Sequence, residues 1–215
     1  MCSTKLIAFD YDGVLADSFD YNLNAFNTIL KRNGLSINAL PDDLKNLKNM
    51  TYEQLAFDVG VPQDMVESVK QETLFEMEKT TSSVSLYEGI VDMIKEITSK
   101  VRLAIISHTN SSTISTVLEH LGCDSCFSDI LGGDIKGTKS QRLEFLMETY
   151  LLAPEDLYMV GDSMSDIMEA HKAGVYAIAA GYGFQSVELL QQAGADKIVG
   201  SVDELCEFLN DRVIM

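Results

Sequence analysis

Basic side chains are scarce in this sequence: 16 lysines and arginines stand against 33 aspartates and glutamates, giving a formal net charge of -17 and a pI near 4.4. Such a chain repels the phosphates of nucleic acid, so no nucleic-acid partner is expected. An anionic substrate would have to be received by a local positive site, built from a metal, a lysine and backbone N–H groups, because the global field opposes it. Long hydrophobic runs are missing as well. No apolar stretch approaches the about 20 residues that span a bilayer, although the hydrophobic share of 46% is ordinary for a globular protein. The amino terminus has one lysine before an apolar strand, without the basic region, long apolar core or small-residue cleavage site of a leader, so a cytoplasmic enzyme with no membrane contact is expected. Cysteine is sparse, at positions 2, 123, 126 and 206. Cys123 and Cys126 form a lone C-x-x-C with no second pair at zinc-ligand spacing, which reads as reduced thiols rather than a metal site or a disulfide scaffold. No repeat or low-complexity tract appears.

What is present is concentrated near the start. In residues 5–15 an apolar run delivers Asp10, Tyr11, Asp12 and Gly13, the pattern of a buried strand with chemistry at its end. Residues i and i+2 of a strand project to one side, so Asp10 and Asp12 can address one small volume. Two like charges that close need a cation or a shared proton. From Ser18, a capping candidate, apolar residues recur at helical spacing and no convincing strand follows until residue 85. Thr51-Tyr52-Glu53-Gln54 has the form of a capping box, and residues 80–83 read as a linker. Helices and strands then alternate, with strands expected near residues 101–106, 127–131, 157–160, 175–180 and 197–199. This predicts an α/β fold, a Rossmann-like doubly wound parallel sheet with helices on both faces and an inserted helical segment after strand one. In such sheets sites gather at the carboxyl ends of strands. There lie Asp10 and Asp12, the run Ser107-His108-Thr109-Asn110, and Asp162-x-x-x-Asp166.

With a lysine at 136 or 139, these groups make a phosphoryl-transfer inventory: a nucleophile, a second carboxylate, an anion-binding hydroxyl, a fixed cation and metal ligands. Four motifs in this order resemble the haloacid dehalogenase-like hydrolase superfamily, in its phosphoglycolate phosphatase-like and β-phosphoglucomutase-like branch with a helical cap. The resemblance covers nearly the whole chain. It implies a core of residues 1–17 and 86–215 and a cap of residues 18–85, whose closure excludes water and whose side chains set specificity. It implies Asp10 as nucleophile, Asp12 as general acid and then base, and Mg²⁺ held by Asp10, Asp162 and the main-chain carbonyl of Asp12. Asp166 would support that shell or contact the lysine. Lys139, which opens a helix and is followed by Leu143, fits the family lysine better than Lys136, although the common Lys-Pro pair is absent. Ser107, His108 and Asn110 form the candidate phosphate-binding loop, by hydroxyl and backbone N–H. Lys45, Lys48, Tyr52 and Glu53 are candidate contacts to the rest of the substrate. The implied function is a Mg²⁺-dependent phosphatase (phosphoric monoester hydrolase) acting on a small phosphorylated metabolite through an aspartyl-phosphate. The alternatives are a phosphomutase, a phosphonate hydrolase with a cap lysine as Schiff base and, outside enzymes, a receiver-like phosphoacceptor module. Oligomeric state is open.

Overall fold

The computed structural model describes residues 5–80 and 84–214. Cys2 and, apart from Thr80, the expected linker at residues 80–83 fall outside them. Six strands form a single sheet: β1 (Leu6–Phe9), β2 (Arg102–Ile106), β3 (Asp129–Leu131), β4 (Leu157–Gly161), β5 (Tyr176–Ala180) and β6 (Lys197–Val199). Their spatial order is β3-β2-β1-β4-β5-β6 and every pairing is parallel. β1 is central, with Phe9 beside Ile105 on one flank and Val160 on the other.

A strand sandwiched between helix layers has no polar face, which is why β1 is apolar throughout and fully buried. Alternate side chains serve opposite layers. Ile7 and Phe9 join α5 (Ile90–Ile97), α6 (Ser111–His120) and α10 (Val202–Phe208), whereas Leu6 and Ala8 join α7 (Lys139–Tyr150), α8 (Met164–Lys172) and α9 (Val187–Gln192). The chain order reverses between β1 and β4, so their carboxyl ends flank the crevice where ligands bind in open α/β sheets.

Between β1 and β2 the chain adds a helical layer, α1 (Phe19–Arg32), α2 (Pro41–Lys45), α3 (Tyr52–Asp58) and α4 (Val66–Thr80). It encloses a core of its own, with Phe26, Leu30, Leu44, Leu55 and Val69 among its buried members. Among the described residues, one buried residue from outside joins that core, Phe184 of the loop after β5. The layer leaves and rejoins the sheet through a paired stalk: Asp17 N–H donates to Ser85 O (2.9 Å) and Tyr87 N–H to Leu15 O (2.9 Å).

Ser18 departs from the capping expectation. It occupies the position before α1, yet its hydroxyl makes no capping bond and donates instead to Asp12 Oδ1 (2.7 Å). Its backbone (φ -105°, ψ 5°) lies outside the extended region usual for a capping residue. Cys123, Cys126 and Cys206 are free thiols.

Candidate active site

Asp10 stands one residue beyond β1, where its N–H still donates to Val160 O (2.8 Å) and keeps it in register with β4. Its Oδ1 accepts the Tyr11 N–H (2.7 Å) and its Oδ2 accepts from Lys139 Nζ (2.5 Å). The same ammonium donates to Asp166 Oδ1 (2.5 Å). Lys139 is only 5% exposed, as the first residue of α7. It is held there by a capping box in which Thr138 Oγ1 accepts the Gln141 N–H (3.4 Å) and the Gln141 side chain accepts the Thr138 N–H (3.0 Å). Lys136 is exposed in the loop before it.

Asp162 follows β4. Among the described residues its carboxylate receives one hydrogen bond, from the Phe184 N–H to Oδ2 (2.7 Å). Both oxygens of Asp166 are occupied: Oδ1 by Lys139, and Oδ2 by the N–H (3.1 Å) and hydroxyl (2.6 Å) of Ser163. Oxygen atoms of Asp10, Asp162 and Asp166 lie within 4.8 Å of one another, and all three residues are buried. Three carboxyls around one ammonium leave negative charge unbalanced. Burial pushes the Asp10 pKa up to about 6 against the pull of Lys139, with Asp166 and Asp12 adding to the rise. Burial likewise holds Asp162 well above the usual carboxylate range, helped by Asp166 and Asp10 and opposed by the Phe184 N–H. Burial alone would lower the Lys139 pKa, but the Asp10 and Asp166 carboxylates more than offset it and keep the ammonium charged. Buried oxygen donors short of positive charge suit a hard divalent cation, which this group of three could hold; Asp10 and Asp162 have less of their hydrogen-bonding capacity taken than Asp166.

Asp12 has partners of its own. Its Oδ1 accepts from Ser18 and its Oδ2 from the Thr109 hydroxyl (2.6 Å). Thr109 was not among the residues expected from the sequence. Its only signal there is its place in the polar run after β2, and the parallel pairing of β1 and β2 is what carries it to Asp12.

Ser107 is buried, and its hydroxyl accepts the Thr109 N–H (3.1 Å), closing a turn at the end of β2. Arg142, another residue the sequence reading missed, lies one turn along α7 from Lys139 and is buried. It donates to Ser107 O (2.8 Å), Leu131 O (3.1 Å) and Ile135 O (2.6 Å), fixing two loops beside the site. A long cation at helical spacing from Lys139 was the available clue. His108 and Asn110 are exposed at the rim, and Asn110 begins α6 without a side-chain capping bond. The structure therefore brings together Asp10, Asp12, Lys139, Asp162 and Asp166, with Ser107 at the edge. Among the described residues, no hydrogen bond joins the His108 or Asn110 side chain to these carboxylates.

Glycines let the loops close on the site. Gly13 has φ +74°, and a Cβ there would strike the Asp162 carboxylate and the Phe184 ring; one on Gly183 would strike Asp162 and Gly13 O. In the helical layer, Tyr52 stacks on Phe26 (5.9 Å) and Lys45 Nζ lies 5.6 Å from the Phe19 ring centre. Glu53 lies 3.6 Å from Lys70, and Lys48 is exposed.

A model of the haloacid dehalogenase-like hydrolase family matches residues 7–180. The phosphoglycolate phosphatase of Chromobacterium violaceum is 31% identical over 223 residues, covering 96% of this chain and 97% of that protein. That of Vibrio cholerae is 29% identical over 220 residues, with the same coverage of 96% and 97%. Among solved structures, a haloacid dehalogenase-like hydrolase from Streptococcus pneumoniae superposes with a TM-score of 0.81 at 23% identity, over 95% of this chain and 98% of that one.

Proposed function

The chain belongs to the haloacid dehalogenase-like hydrolases, and on that premise we propose that it is a Mg²⁺-dependent phosphatase of small phosphate monoesters that works through an aspartyl-phosphate on Asp10. The observation that carries this reading is the buried Lys139 ammonium bonded at 2.5 Å to both Asp10 and Asp166. It sits at the strand ends where Asp162 is also in reach, and it supplies the local positive charge that a chain of net charge -17 needs to receive a phosphate.

The Asp10 carboxylate attacks phosphorus, the P–O bond to the leaving alkoxide breaks, and Asp12 gives that alkoxide its proton. Asp12, now ionised, takes a proton from water as the water attacks phosphorus. The bond to Asp10 breaks, releasing orthophosphate and restoring both carboxyls. The hydroxyls of Ser18 and Thr109 suit Asp12 in either form, because a hydroxyl rotates to donate or to accept. Lys139 holds Asp10 in place and keeps one of its three donors for a phosphate oxygen. Asp166, itself held by Ser163, in turn holds Lys139. Asp10, Asp162 and the main-chain carbonyl of Asp12 would hold Mg²⁺, which supplies charge neutralisation at the phosphate oxygens. Ser107, with the backbone N–H groups of its loop, receives the phosphate, and His108 and Asn110 stand at the mouth. The helices within residues 18–85 act as the lid that excludes water, with Lys45 and Tyr52 facing the rest of the substrate. Phosphoglycolate, which names the relatives above, is the first ester to try.

Asp10→Asn removes the nucleophile with little change in shape. Turnover of every phosphate ester should fall to background while circular dichroism stays unchanged. Rapid quenching with a ³²P-labelled ester should leave a base-labile label on the wild-type chain and none on the variant. Retained turnover by the variant overturns the assignment.

A further inference from the structure

The loop between β5 and α9 makes contacts that the proposed chemistry does not use. Phe184 holds Asp162 Oδ2 with its N–H (2.7 Å) and sends its ring into the core of the helical layer, edge-on to Phe19 at 5.4 Å. Gln185 is 2% exposed. Its main-chain N–H donates to Asp162 O (3.4 Å) and its Oε1 accepts the N–H of Met164, the first residue of α8 (2.5 Å). Its Nε2 donates to Leu47 O in the helical layer. The Ser186 N–H adds a second bond to that layer, at Lys45 O (3.0 Å). Three consecutive residues thus hold Asp162 on one side and the helical layer on the other.

The carboxamide of Gln185 is planar, with its acceptor facing α8 and its donor facing the helical layer, so the group cannot shift toward one without loosening the other. Losing either bond strands a buried polar group. Gly183, where a Cβ would strike Asp162, leaves this strap no slack. We propose that Gln185 is a positioning residue that couples the helical layer to Asp162: when the layer is seated the strap aims the Asp162 carboxylate into the cluster, and when the layer lifts that carboxylate is released. The proposal rests on the phosphatase reading only in taking Asp162 as a metal ligand.

Two variants cut the tie on the side of the helical layer and spare the Asp162 side. Gln185→Glu keeps an oxygen for the Met164 N–H and replaces the donor to Leu47 O. Ser186→Pro removes the N–H that reaches Lys45 O; the φ of -64° at Ser186 is the one proline adopts, and the Ser186 hydroxyl makes no capping bond. Amide hydrogen exchange on the full-length, metal-free chain reads residues 44–47 for the layer and Phe184 and Met164 for the Asp162 side. Mn²⁺ titration followed by electron paramagnetic resonance reads the ligand set without turnover. Both variants should accelerate exchange at both places together and weaken Mn²⁺ binding at least fivefold, with kcat falling more than KM rises. Faster exchange at residues 44–47 with Phe184, Met164 and Mn²⁺ affinity unchanged overturns the coupling, because a purely structural contact gives that result. If the wild type binds no Mn²⁺, the metal reading fails by itself, and the exchange data decide the coupling. If Gln185→Glu does not fold, Ser186→Pro carries the test.

Discussion

Tyr11, wholly buried between two carboxylates that face polar partners, explains how a motif of three residues serves two purposes. It anchors the strand end in the core, so Asp10 is left to Lys139 and Asp12 to the hydroxyls of Ser18 and Thr109. Thr109→Val removes one of those hydroxyls and retains the N–H that donates to Ser107, so the turn after β2 survives. Because Asp12 is the proposed proton donor, kcat should fall roughly tenfold for alkyl phosphates, whose alkoxides need the proton, and much less for a nitrophenyl phosphate. Steady-state kinetics on the two ester types checks this, and an equal loss on both would argue against the role of Asp12. The acidic residues were legible because carboxylates at strand ends are costly without a function. Thr109, Arg142 and Gln185 were not, since each matters through a partner distant in sequence, and such partners appear only once the strands are in register.

At the scale of elements, the six strands were readable because a strand buried on both faces is written as a short apolar run, and each was expected within a residue or two of its place. Helix ends were read less well. Ser18, a capping candidate, makes no capping bond, and at the Thr51 capping-box pattern the Gln54 side chain goes to Asp58 Oδ1 (2.8 Å) while Thr51 accepts the Gln54 N–H (3.2 Å). The cap at Thr138 forms even though its hydroxyl also meets Ser140 Oγ (2.8 Å), and it starts the helix that presents Lys139. Thr138→Ala should therefore cost about 1 kcal/mol of stability by urea denaturation. It should also lower kcat severalfold through a looser Lys139, whereas a loss of stability with full kcat would show that the lysine is held by its carboxylates alone.

For the whole molecule, the buried cluster makes stability depend on pH. The Asp10 pKa is raised from 3.8 to about 6, so its favourable contribution is complete below about pH 3.8 and is lost as pH rises through 6; Asp162, raised as well, extends that loss upward. In EDTA, the stability of the wild type relative to Asp10→Asn should decline between pH 4 and pH 7. Taking the difference between the two proteins cancels surface carboxylates such as Glu67 and Glu204, whose pKa values are lowered and act in the opposite sense. Mg²⁺ should restore the wild type at pH 7 and do little at pH 4, where protons compete for the same oxygens. Thermal melts at the two pH values check this, and a flat difference would mean that the cluster carries no pH-linked burden.

The stalk below the helical layer has a consequence for how such a molecule can be rebuilt. Because the chain departs and returns as two hydrogen-bonded neighbours, Asp17 beside Ser85 and Leu15 beside Tyr87, the sheet is presented with the open end of a hairpin, whatever hangs beyond it. A short turn could close that end. On the proposed reading specificity is a cassette: a different set of helices spliced between the same two residues would inherit Asp10, Lys139 and the carboxylate cluster, and would have to supply again the hydroxyl that Ser18 gives Asp12, carbonyls for Gln185 and Ser186, and an apolar seat for the Phe184 ring.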